Sequence, residues 1–198
     1  MTGDLIQVVD CLTDEQCKEV ISQLNETWWS PTTVFGFTGT EVNTGIRNND
    51  RICLSDDSTS ANIMHEAMNA SLLRYRDAMY DISPEFQRYP VPGTYRTNCH
   101  REEIQVLRYN KGEYYNWHHD QGSDPNFNAR HRTFSIVLYL QNADEGGRTI
   151  FPHRAYRPKN GQALIFPSNW CFPHRAEEVA RGQKISAVTW YHCHYNYD

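Results

Sequence analysis

The longest apolar pattern of helical period lies between Ser60 and Ile82. Ile63, Met64, Ala67, Met68, Leu72, Tyr75 and Met79 recur three and four positions apart, the spacing of one face of a helix. This predicts an amphipathic helix whose methionines fill a core rather than bind a ligand. His65 falls off the stripe and is expected in solvent. Upstream, LIQVVDCL reads as a short strand and TDEQCKEVISQLNE as a helix. Thr13 and Gln16 have the spacing of a capping box, and Leu12 and Cys17 that of a hydrophobic staple. Residues 30–60, rich in Thr, Gly, Asn and Asp, read as loops with short strands.

From about residue 103 the period changes. EEIQVLRYN, RTFSIVLYLQ, RTIFP, GQALIFP and KISAVTWYH are short, apolar or alternating, and separated by Gly, Pro, Asn and Asp. Short, evenly spaced strands argue for a sandwich or barrel-like β core. The expected architecture is one domain over residues 1–198, mainly β with flanking helices. Residues 1–100 supply helical support and loops; residues 101–198 form the β core.

Composition narrows the function. The chain has 198 residues and a formal net charge of −5, with no Lys/Arg-rich run, which disfavours a nucleic-acid partner. Its six cysteines form no CxxC pair, and a chain of this size needs no disulfide staples, so free thiols are expected. MTGDLIQVVD lacks the basic and apolar regions of a signal peptide. No apolar run approaches a membrane span. These features predict a cytoplasmic protein, monomeric or homodimeric, with no membrane partner.

The candidate chemistry centres on W-H-H-D, residues 117–120. Residues i and i+2 of an extended segment share a side, so His118 and Asp120 point together and His119 points away. His174, in NWCFPHRAEE, follows the strand GQALIFP and belongs at a strand end or turn. Two imidazoles and one carboxylate make the facial triad of non-haem Fe(II) oxygenases, with coordination positions left open. The tripeptide alone is weak in a chain with nine histidines, and zinc accepts the same donors.

Three longer segments, QVLRYNKGEYYNWHHD, RTFSIVLYLQNADEGGRTIFP and HRAEEVARGQKISAVTW, resemble the prolyl 4-hydroxylase branch of the Fe(II)/2-oxoglutarate dioxygenases, in the same order, over roughly Glu103 to Tyr191. The resemblance implies a double-stranded β-helix, a jelly-roll of cupin type, with the N-terminal helices packed on one sheet. It implies His118, Asp120 and His174 as iron ligands. Lys184, ten positions after His174, would be the cation for the distal carboxylate of 2-oxoglutarate. A dicarboxylate in a narrow pocket needs such a fixed charge, and Lys184, Ser186, Val188 and Trp190 share one strand face. Tyr109 and Thr149 match further cosubstrate contacts of the family, and Tyr115, Arg132 and Trp190 match its peptide-substrate contacts. Tyr139, at the end of a central strand, either reaches the same pocket or packs in the core. The cofactors implied are Fe(II), 2-oxoglutarate and dioxygen, with ascorbate as a reductant. The reaction implied is hydroxylation of a prolyl residue in a peptide or protein, with release of succinate and carbon dioxide.

The chain departs from the family pattern at EGGRT, where Arg148 replaces an acid, and the insert QGSDPNFNARH is short. Gly146 and Gly147 are expected in a tight turn with close backbone approach. The competing readings are a hydroxylase of the same mechanism acting on another side chain, a free amino acid or a small molecule, and a non-catalytic cupin-like binder.

Overall fold

The apolar stripe of the second helix is buried as its period predicts. Met64, Met68, Leu72, Tyr75 and Met79 are each at most 2% exposed. A computed structural model of the chain describes residues 5–36, 39–82, 97–121 and 132–195. The first half contains strand β1 (Gln7–Asp10), helix α1 (Asp14–Ser22), short strands β2 (Ser30–Pro31), β3 (Val34–Gly36), β4 (Gly39–Glu41), β5 (Arg47–Asn48) and β6 (Asp50–Cys53), and helix α2 (Thr59–Ile82). The second half is β: β7 (Thr97–Arg101), β8 (Gln105–Tyr109), β9 (Tyr114–His118), β10 (Phe134–Gln141), β11 (Glu145–Gly146), β12 (Thr149–Phe151), β13 (Arg154–Tyr156), β14 (Gln162–Pro167), β15 (His174–Ala176), β16 (Val179–Arg181) and β17 (Lys184–Tyr195).

Helix α1 begins where the sequence puts it. The Thr13 hydroxyl accepts from the Gln16 N–H, and the Gln16 side chain accepts from the Thr13 N–H, which satisfies two of the free donors of the first turn. Leu12 and Cys17 are both buried in the same cluster. His65 departs from expectation: it is half-buried, and its Nδ1 accepts from Arg101 Nε at 2.8 Å. The sequence pattern does not reveal that β7 crosses this part of α2.

The strands form two principal antiparallel sheets. The larger has eight strands in the order β1-β14-β10-β17-β8-β6-β2, with β7 on the outer part of β17. The smaller has five, in the order β13-β12-β15-β9-β5. Both helices pack on one face of the larger sheet. Val20, Met64, Met68, Leu72 and Tyr75 meet Val106, Ile136, Leu138, Ile165 and Ala187 there. This is the double-stranded β-helix with helices on one sheet. No described helix is long and apolar enough to cross a membrane. The loop expected from the insert after Asp120 falls on residues 122–131, outside the described residues.

Gly146 shows the close approach expected of the EGG segment. Its φ is +78°, and a Cβ there would lie 2.2 Å from the Glu178 carbonyl oxygen. Gly146→Ala therefore combines a left-handed backbone with a backbone clash. It should cost about 1–3 kcal/mol or more, read as a lowered midpoint in thermal unfolding. A midpoint equal to wild type would mean that the β11–β16 pairing shifts freely.

Candidate metal centre

The ladder of the smaller sheet brings the proposed ligands together. Strand β15 pairs with β9 so that His174 stands directly opposite His118. The strand ends at His118, and Asp120 follows in a bend, yet His118 and Asp120 still share a side, while His119 is exposed. Asp120 Oδ1 lies 3.6 Å from His118 Nε2, and Asp120 Oδ2 lies 3.7 Å from His174 Nε2. One ligand atom from each residue falls within a span of 4.8 Å. Among the described residues this is the one His/Cys/Asp/Glu group so arranged.

Hydrogen bonds fix the ligand atoms. His118 Nδ1 donates to the Asn116 carbonyl at 2.8 Å, and His174 Nδ1 donates to the Phe172 carbonyl at 3.1 Å. This tautomer leaves both Nε2 lone pairs aimed inward, as outer contacts do around metal-bound histidines. The Ser135 hydroxyl donates to Asp120 Oδ2 at 2.7 Å and contacts the Ser168 hydroxyl at 2.8 Å. Burial and the neighbouring His174 push His118 down to about 3, which keeps it neutral. Burial alone would raise Asp120, but the two imidazoles and Ser135 outweigh it and hold the carboxyl at about 2. A neutral His118 and an ionised Asp120 are the states in which these two groups bind a divalent metal. The donor set fits Fe(II), with one side open to a cavity.

That cavity has a volume of about 710 Å³ and lies between the two sheets. The larger sheet contributes Leu107, Tyr109, Val137, Lys184, Ser186, Val188 and Trp190; the smaller contributes Arg47, Tyr115, His118, Thr149 and His174. The alternation read along KISAVTW thus holds. Lys184 is 2% exposed. Its Nζ sits 4.6 Å from the Tyr139 ring centre and 5.4 Å from that of Tyr109. Tyr139 and Thr149 share a hydroxyl hydrogen bond beside it. Burial lowers the Lys184 ammonium to about 7, against a weaker opposing pull from Glu177. Burial also raises Tyr109 to about 12.

Tyr115 stacks on His118, with ring centres 3.6 Å apart and planes 14° apart. The Arg132 guanidinium carbon lies over the Trp190 ring, 3.6 Å from the ring centre, and both line the cavity. Its guanidinium also grips Glu102 through two contacts of 2.6 and 2.8 Å and reaches the Asp120 carbonyl at 3.3 Å. Glu102 in turn accepts from His192 Nε2 at 2.7 Å. Glu102, His192 and Arg47 have no signal in the sequence. Arg47 is buried over the Tyr115 ring and bonded to Asn49, in a stretch that reads as loop. Arg148, the departure from the family pattern, is held by Glu177 in a two-pronged ion pair and does not line the cavity.

A jelly-roll whose cavity is lined by two histidines and an aspartate presents the donor set of mononuclear non-haem iron sites. Residues 104–192 match the family model of the 2OG-Fe(II) oxygenase superfamily. A putative prolyl 4-hydroxylase of Acanthamoeba polyphaga mimivirus is 34% identical over 46% of this chain and 44% of its own length. Probable prolyl 4-hydroxylase 8 of Arabidopsis thaliana is 28% identical over 92% of this chain and 66% of its own length. The chain thus spans less than half of the viral relative. The viral collagen prolyl hydroxylase of Paramecium Bursaria Chlorella virus-1, solved with 2OG, has the same fold. Its TM-score is 0.63 at 21% identity, over 94% of this chain and 95% of that one.

Proposed function

We propose that the chain is an Fe(II)- and 2-oxoglutarate-dependent dioxygenase that hydroxylates a prolyl residue in a peptide or protein and releases succinate and carbon dioxide. One observation carries the reading. A single cavity holds the His118–Asp120–His174 donor set and, on the facing sheet, a buried lysine set against aromatic rings. Such a cation calls for an anion from outside the protein.

Iron bound to the triad supplies the activation of dioxygen. The chain's own residues do the rest. His118, Asp120 and His174 hold the metal, and Ser135 fixes the Asp120 carboxylate. The Lys184 ammonium donates to the distal carboxylate of 2-oxoglutarate. The Thr149 and Tyr109 hydroxyls orient the same molecule, and Tyr139, which shares a hydroxyl hydrogen bond with Thr149, holds Thr149 in place. Tyr115 and Trp190 offer flat faces to a proline ring, and Arg132 is positioned by Glu102 at the same wall. The names of the relatives support a prolyl substrate. Ascorbate as a reductant rests on the family resemblance alone.

The test is an incubation with Fe(II), 2-oxoglutarate and a series of proline-rich peptides. Succinate and a mass gain of one oxygen on proline are expected together. Succinate formed only with a free amino acid or another small molecule would move the substrate class. No succinate with any substrate would leave a non-catalytic binder.

The lowered Lys184 sets a pH dependence. The charged form, which binds the dicarboxylate, predominates below about 7 and is lost above it. Bound 2-oxoglutarate raises the lysine again, so binding takes up a proton. Its half-saturation concentration should rise with pH above 7, by up to about tenfold per pH unit. A flat profile between pH 6.5 and 8.5, in ~ half-unit steps, would contradict the anchor.

A further inference from the structure

The cavity wall carries four cationic side chains, Arg47, Arg51, Arg132 and Lys184, against one carboxylate, Asp120. This stands out in a chain whose formal net charge is −5. Asp120 faces the metal position, Lys184 is placed for the distal carboxylate of 2-oxoglutarate, and Arg132 is paired with Glu102 at 2.6 Å. With Fe(II) and 2-oxoglutarate in place those charges balance, and Arg47 and Arg51 are left over. Arg47 is held by neutral groups, the Asn49 side-chain oxygen at 2.9 Å and the Tyr115 ring, 4.5 Å to its centre. Strand β6 aims Arg51. It stands opposite Leu107, which stands opposite Ser186, and all three line the cavity. The next residue, Ile52, turns into the helix-covered core, as the two-residue period requires. Asp50, on the Ile52 side, is taken by Arg108 at 2.9 Å, and Glu103 lies beside the exposed Cys53. Among the described residues the half-buried Arg51 guanidinium has neither an ion pair nor a hydrogen bond. A free guanidinium on a cavity wall is a ready partner for a carboxylate, and a cleft lined by one sign of charge focuses its field.

On the footing that this cavity hydroxylates a peptide, we propose that the peptide presents an acidic side chain, Asp or Glu, next to the reacting residue. Arg51 receives that carboxylate and is the specificity determinant, and Arg47 adds to the field. A neutral proline-rich segment would leave both guanidinium groups without a counter-charge, and a Lys-rich one would be repelled. An acidic segment completes the balance. Ile46 and Trp117 line the same cavity while 41% and 51% exposed, so the mouth offers apolar surface to the rest of the peptide.

The test measures binding of labelled peptides by fluorescence anisotropy, with Mn(II) and 2-oxoglutarate present and again without them, so that the readout does not depend on turnover. The peptides have blocked ends and a central proline flanked on either side by Asp, Asn or Lys. The Asp peptide should bind on the order of tenfold more tightly than the Asn peptide, and the Lys peptide most weakly, with the spread shrinking as salt rises. Arg51→Gln should close most of the gap between Asp and Asn, and Arg51→Glu should turn the order toward Lys. The wild-type series and its salt dependence decide the matter if neither variant folds. Equal binding of the Asp and Asn peptides by the wild-type protein would overturn the proposal. So would an Asp preference that survives in both variants, or one that appears only with a free C-terminal carboxylate. Oxygen gain on proline is scored separately. An acidic preference without it upholds Arg51 and overturns the prolyl substrate; oxygen gain without an acidic preference does the reverse.

Discussion

Alanine at His118, Asp120 or His174 removes iron retention and turnover together, whereas alanine at His119 leaves both near wild type. The three proposed ligands present Nε2 and carboxylate atoms within one 4.8 Å span, so deleting any one would leave two donors where the proposed site offers three. Loss of a residue that only supports a ligand costs about 10–100-fold in affinity, and loss of a ligand itself should exceed that. His119 is the internal control, because it is equally a histidine and adjacent to both ligands, but exposed. Metal analysis after desalting and succinate formation are the measurements. His119→Ala matching His118→Ala in both would mean that the segment is turned the other way.

Lys184→Ala raises the 2-oxoglutarate requirement steeply and leaves iron content near normal. The lysine is buried and faces the rings of Tyr109 and Tyr139. Losing a buried charge-assisted contact costs about 2–5 kcal/mol, a weakening of roughly thirtyfold or more. Lys184→Arg should keep part of the affinity, because charge survives while length and shape change. The measurement is a 2-oxoglutarate titration of succinate formation in the absence of a prime substrate. An unchanged half-saturation point would place the anchor elsewhere, with the buried Arg47 as the other cation deep in the cavity.

The elements visible in the sequence are those with a local period. The α2 stripe, the Thr13 cap and the strands from Gln105 onward all have short-range signals, and the structure places them accordingly. The pair His118 and Asp120 was legible for the same reason, and so was the Lys184–Trp190 face. Residues joined only through cross-strand register were not. Nothing local to Arg47 announces that β5 will lay it over Tyr115. Nothing local to Glu102 and His192 announces their hydrogen bond, nor to Ser135 its contact with Asp120. Pairing across long separations is set by the fold as a whole. His65 shows the converse: its place off the stripe is correct, but a strand from elsewhere covers it.

The central claim is that one cavity binds iron through His118, Asp120 and His174 and 2-oxoglutarate through Lys184. The most direct measurement is an anaerobic crystal structure with Fe(II) and 2-oxoglutarate, with anomalous data collected at the iron edge. The predicted result is one strong peak among His118 Nε2, His174 Nε2 and the Asp120 carboxylate, with the far carboxylate of 2-oxoglutarate on Lys184 Nζ. An iron peak away from these three residues, or a 2-oxoglutarate whose far carboxylate rests on Arg47 or Arg132 instead, would contradict the account.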